Sequence, residues 1–326
     1  MKNPEKWSVY FHGNFWGHHG DEPAGEERRL NARFSWGEQE WFVPSVYVCQ
    51  SGLVLDLCAR VEAETIRAFL EKWNVDANTR ESQFTEEELE QIRLENPLNL
   101  DIKPTLLCNG KLLRANSSSG FGHNPCMEGG LDEEPECKRV LEHYGLDPAC
   151  GWGICRVCFG WDKPEVIERL ELNMIQQPVE IPGPRFTAQA GEQIGFTHPV
   201  TGAQHCIVVH ELERQSLEQA RFGDDEREYP NHFILMDYTV APPLPPQAMS
   251  ILDCEASDSP KGEKGAVSVG VIGSAHGPAV LVRPDQKTHR EACSSMHFVP
   301  QEKVLWRIVF HEKLLEDQTF ILIENA

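Results

Sequence analysis

From residue 185 to residue 323, apolar residues alternate with polar ones or form short runs, and clusters of Pro, Gly and Asp separate the runs. A side-chain period of two, interrupted by turn residues, is the signature of half-buried strands. Many such strands in series close into a sandwich or barrel, so this pattern predicts a predominantly antiparallel β, sandwich-like C-terminal part. The strands it marks are 154–161, 166–175, 192–198, 204–212, 232–240, 249–254, 266–272, 279–283, 303–311 and 319–324. A scaffold of this kind fixes an architecture without fixing a chemistry, and function has to be read from a site.

The N-terminal part reads as α+β. Residues 7–11 and 40–49 are aromatic and β-branched, as strands tend to be, and 53–61 is an apolar run broken by Asp56 and Arg60. Ile66, Phe69, Leu70 and Trp73 fall at i, i+3, i+4 and i+7, which predicts one helix face. Thr85 followed by Glu88 reads as a capping box opening a second helix, which has to end before Pro97. A third helix places Cys137, Val140, Leu141 and Tyr144 on one face, with Gly145 as its C-cap. Residues 116–125 are almost all Asn, Ser, Gly and Pro, and 132–134 are acidic. The expected organisation is therefore a small α+β domain over 1–115, a linker or long loop over 116–132, and a mostly-β domain over 133–326. The proline-rich stretch 241–246 is expected to be a rigid connection between two strands.

The formal net charge of −21 repels phosphate backbones and anionic lipid, which argues against nucleic acid and membrane surfaces as partners. No stretch approaches the roughly 18 uninterrupted apolar residues of a bilayer-crossing helix. The first residues carry no apolar leader, so the expected compartment is the cytoplasm. Eleven cysteines, an odd number, fit reduced and buried thiols there. The one C-x-x-C, Cys155 with Cys158, falls in a predicted strand that sends the two sulfurs to opposite faces, against a zinc or redox pair.

Histidines are the remaining candidates for chemistry. His12, His18 and His19 share a Gly-rich loop with Asp21, and His198 and His205 flank a hairpin turn containing Pro199 and Gly202. His12, His18, His198 and His205 are thus the candidate metal ligands, with His276 as a further donor. A divalent metal is the one cofactor such donors could hold, and none is otherwise predicted. The segment 270–278, Gly-Val-Ile-Gly-Ser-Ala-His-Gly-Pro, is similar to a short signature in the membrane-embedded β subunits of sodium-pumping decarboxylases. That family has an aspartate where this chain has His276, so the resemblance implies no ion path here. G-x-S-x-G, H-E-x-x-H, Walker and EF-hand patterns are all absent. The expected function is a non-catalytic binding or interaction protein that meets a protein or small-molecule ligand. The alternative is a metal-assisted, hydrolase-like enzyme whose histidines converge in space.

Overall fold

The alternating strands group into two units in a computed structural model that describes residues 7–76, 78–127, 135–217, 228–261, 279–282 and 288–325. One unit comprises Met1–Pro178 with Lys313–Ala326, and the other Val179–Glu312. Both are built mainly of antiparallel strands.

In the first unit eight strands form one sheet. They are β1 (Glu26–Trp36), β2 (Gln39–Val48), β3 (Gly52–Val61), β4 (Thr105–Cys108), β5 (Lys111–His123), β6 (Gly151–Gly160), β7 (Arg169–Met174) and β16 (Gln318–Glu324). Their order is β1-β2-β3-β6-β5-β4-β7-β16. Phe34 of β1 stacks on Phe320 of β16 at 3.9 Å, and the Trp36 indole donates to the Glu316 carbonyl at 2.8 Å. The sheet is therefore a nearly closed, barrel-like cylinder. Its interior is filled by alternate residues, among them Val43, Leu53, Leu55, Leu57, Phe159 and Leu172.

The intervening residues of β2, β3 and β6 are buried too. Val54, Cys58, Ile154 and Cys158 lie under helix α3 (Pro135–Tyr144) and under Val9 and Phe11 of the N-terminal stretch. Cys155 packs with the interior and Cys158 with this outer layer, so the C-x-x-C sulfurs do part across the strand.

Asp56 and Arg156 interrupt these apolar runs at directly paired positions of β3 and β6. The guanidinium grips the carboxylate bidentately, Nε to Oδ1 at 2.8 Å and Nη2 to Oδ2 at 2.7 Å. The Tyr144 hydroxyl donates to Asp56 at 2.6 Å, and its oxygen lies 2.7 Å from the Tyr47 hydroxyl, which also accepts from the Trp7 indole at 2.8 Å. Burial is the largest single influence on the Arg156 pKa and works to lower it, but the Asp56 charge and hydrogen bond, with Tyr144 and Tyr47, together outweigh it and the net shift is upward. The Tyr144 phenol is pushed up, first by burial and then by the adjacent carboxylate.

Among the described residues the α-helices are few: α1 (Ala63–Trp73), α2 (Glu86–Glu95) and α3. The Thr85 capping box is present, with Glu88 N–H donating to Thr85 Oγ1 at 3.2 Å and Thr85 N–H to Glu88 Oε2 at 2.8 Å. All four expected residues of α3 are buried, and Gly145 follows at φ +64°.

Three expectations are corrected. Residues 1–115 are not a separate α+β domain, because their four strands complete a sheet with β5, β6, β7 and β16. Residues 116–123 are not a linker but the second half of β5, paired with β6. Their small side chains serve close approach: a Cβ added to Gly120 would sit 2.8 Å from the Ile154 carbonyl. The boundary between units falls at 178/179 and 312/313 instead. Residues 7–11 form no strand, since Val9 meets the rest of the chain's backbone through one bond, from Gly25 N–H at 2.8 Å.

The second unit holds β8 (Val179–Phe186), β9 (Gln193–Thr197), β10 (Gln204–Ser216), β11 (His232–Ala241), β12 (Met249–Asp253), β13 (Ala279–Val282), β14 (Thr288–Cys293) and β15 (Trp306–Glu312). They form two sheets, β13-β14-β11-β10-β9 and β12-β15-β8. Ile207, Met236 and Tyr238 of the first sheet share a core with Met249, Trp306, Ile308 and Phe310 of the second. The expected strand at 266–272 and His276 lie outside the described residues. Pro182 and Pro184 sit in β8, an edge strand, where a missing N–H leaves no ladder bond unmade.

Candidate functional site

A two-residue turn, Gly37-Glu38, joins β1 to β2 with Gly37 at φ +63°, the left-handed region that a tight hairpin needs. The alternation on either side of it turns Trp36 and Trp41 into the barrel, at one of its ends. Their ring centroids are 6.0 Å apart and their planes 57° apart. A cavity of about 540 Å³ opens there, within the size range of small-molecule sites. Leu100, Ile102 and Leu315 add apolar wall, while Glu38, Glu40, Glu62 and Asp101 stand at the same opening. Arg60 is the one cation among the lining residues, tied to Glu40 at 3.1 Å and Glu62 at 2.9 Å.

Trp41 supplies the chemical point of the cavity. Its side chain is 2% exposed, and its indole N–H has no hydrogen-bond partner among the described residues. Trp36, by contrast, satisfies its own N–H on the Glu316 carbonyl. A buried donor left without an acceptor costs about 1–3 kcal/mol. The mouth therefore combines two aromatic rings, one unspent donor and an acidic opening.

The candidate histidines lie elsewhere, two in each unit. His12 and His18 are exposed; His18 stacks on Tyr10 at 3.9 Å, and His12 meets Phe11 edge-on at 5.0 Å. His198 and His205 are neighbours across the β9–β10 turn, with ring centroids 6.2 Å apart. His198 Nδ1 accepts from the N–H groups of Val200 at 3.4 Å and Thr201 at 3.3 Å, which leaves Nε2 to carry the proton toward Glu312 Oε1 at 3.1 Å. His205 Nδ1 faces the Pro242 carbonyl at 2.9 Å. Among the described residues no three of His, Cys, Asp and Glu come together as a metal would require.

His18 borders a second, smaller depression of about 250 Å³ with Trp7, Tyr10, Phe15 and Trp16. Its aromatic faces are partly spent on the chain's own cation, since the Arg156 guanidinium lies 4.2 Å from the Phe15 centroid and 5.7 Å from that of Trp7. The barrel mouth was missed by sequence reasoning. Its signal was the pair of tryptophans that straddle Gly37-Glu38 and share one face of the hairpin, Trp41 lying opposite Phe34 and so diagonal to Trp36.

No protein-family model matches the chain, and no curated protein or solved structure matches it either. Among the described residues no helix is long and apolar enough to cross a membrane.

Proposed function

We propose that the protein is a non-catalytic binding protein that takes a small molecule into the mouth of its nearly closed barrel. The observation that carries this reading is the Trp41 indole N–H, buried without an acceptor on a side chain that lines a cavity of ligand size. A ligand that fits has a flat or apolar body to lie against Trp36 and Trp41 and an acceptor oxygen to meet that N–H. Four carboxylates against one guanidinium at the opening favour a neutral or cationic ligand over an anion, and a cation gains from the indole faces. Quaternary ammonium compounds bearing an ester or amide carbonyl combine all three properties.

Tryptophan fluorescence, titrated with matched cationic, neutral and anionic compounds of that size, tests the reading. Saturable quenching by the first two classes is expected, with little response to the third. Trp41→Phe keeps the ring and removes the donor, so affinity should fall about two- to tenfold, the worth of one neutral hydrogen bond. Absence of saturable binding, or binding unchanged in both Trp41→Phe and Trp36→Phe, would sink the proposal. The reading needs no resident metal. Protein purified without added metal is expected to contain well under one transition-metal ion per chain. A value near one, reduced by His198→Ala or His18→Ala, would favour the metal-assisted enzyme instead.

A further inference from the structure

In the second unit β14 carries two basic side chains, His289 and Arg290, to opposite faces of its sheet. His289 meets Asp237 at 2.8 Å, both being buried. The next residue, Arg290, faces the other way and pairs across the ladder with Tyr238, a member of the core between the two sheets. Arg290 is 2% exposed and Tyr238 is fully buried. Arg290 Nη2 donates to the Leu244 carbonyl. Its Nη1 has no partner among the described residues, and neither has the Tyr238 hydroxyl. Nor does Arg290 form an ion pair with any described carboxylate.

Arginine cannot escape this by losing its proton. A guanidinium taken out of water demands a counter-charge and acceptors for its five N–H groups. The Tyr238 hydroxyl is close enough to feel the cation: burial pushes its phenol up to about 12, with Arg290 pulling against the rise. The two groups lie side by side, the guanidinium acting on the phenol oxygen by its charge and by a side-chain contact, with no well-aligned hydrogen bond between them. Each still has a donor to give.

We propose that a compact monovalent anion, a halide or a small carboxylate, binds between Arg290 Nη1 and the Tyr238 hydroxyl. One such ion accepts from both donors and neutralises the buried charge in a single step, which explains why both are left unspent. The site is independent of the barrel mouth, and its outcome leaves that reading untouched.

The full-length protein, exchanged into a buffer whose only anion is a bulky sulfonate, is titrated separately with chloride and with formate at constant ionic strength. The thermal midpoint is followed in each case. A saturable rise with one or both ions is expected, because a ligand that binds only the native state stabilises it by mass action. Chloride alone marks a halide site, and formate alone marks a site for a carboxylate-bearing molecule. Arg290→Met should remove the saturable rise, and Tyr238→Phe should shift its midpoint about tenfold to higher anion concentration. Tyr238→Phe also serves as the test if Arg290→Met does not fold. Broadening of the chloride-35 resonance by wild-type protein, reversed by formate, reads the site directly. No saturable rise with either ion, or an equal rise in wild type and Arg290→Met, would overturn the proposal.

Discussion

Each unit buries an arginine under its sheet, and the two meet the charge in opposite ways. In the first unit the register sets Arg156 directly across from Asp56, and a bidentate grip, Tyr144 and Tyr47 complete the network from within the chain. In the second unit the register sets Arg290 across from Tyr238, a neutral partner with an unused proton. A buried cation closed by its own carboxylate is a device for holding layers together. One left open among described groups is a device for holding something else. Burial alone therefore does not separate a structural charge from a functional one; the completeness of its partners does.

The sharpest break of this comparison is removal of the counter-charge from the closed site. Asp56→Ala strands Arg156, which is 3% exposed, and should cost about 3–5 kcal/mol in urea unfolding. Replacing both partners by apolar residues, Asp56→Leu with Arg156→Met, should recover most of that loss, because a buried pair roughly breaks even against well-packed hydrophobes. Arg290→Met, measured in the absence of compact anions, should cost nothing or stabilise. A loss of several kcal/mol there would mean that Arg290 is as fully compensated as Arg156.

Alkaline pH sharpens the comparison at a smaller scale. Burial pushes the Cys49 thiol, with Glu22 adding to it, and the Cys155 thiol, with Asp56 adding to it, up to about 12 from an ordinary 9.0. A native-state pKa above the unfolded one gives stability that is intact below pH 9 and is lost as pH rises toward 12. At pH 10 the loss should be about 1 kcal/mol for each such thiol. These two sulfurs belong to the first unit, so its unfolding should respond first. Equal loss in Cys155→Ala and wild type between pH 8 and pH 10.5 would discount the role of that thiol.

Much of the fold was legible because periodicity is local. The hairpin around Pro199 and Gly202, the capping box at Thr85 and the buried face of α3 all follow from spacing within one turn or two. What failed depended on neighbours distant in sequence. Asn116, Ser117 and Gly120 are turn formers by composition, yet β6 recruits them as strand because it needs a close partner on that side. β8 was hidden by two prolines that only an edge position tolerates. The site was less legible still. Asp56 and Arg156 stood out as lone charges amid apolar runs, but nothing local says that they pair. Trp36 and Trp41 become a cavity wall only when β1 reaches β16. The histidines attracted attention by chemistry alone, and His198 proves to be occupied by its own turn and by Glu312.

The finest contrast is between the two tyrosines that accompany the arginines. Tyr144 and Tyr238 are both buried, both core-facing and both pushed upward by burial. Their hydroxyls differ in employment. Tyr144 donates to Asp56 at 2.6 Å and lies 2.7 Å from the Tyr47 hydroxyl, so Tyr144→Phe removes a charge-assisted bond and leaves a carboxylate lone pair bare. A loss of about 1.5–3 kcal/mol is expected for it. The Tyr238 hydroxyl donates to no described acceptor and meets Arg290 only through its oxygen. Without a compact anion, Tyr238→Phe should lie within about 0.5 kcal/mol of wild type, or above it, since a desolvated hydroxyl is removed with no partner abandoned. With saturating chloride or formate the same variant should fall below wild type, as the anion then gives that proton an acceptor. Parallel urea titrations of both variants, with and without the anion, read the difference. A Tyr238→Phe loss that matches Tyr144→Phe in anion-free buffer would show that the second arginine is as closed as the first.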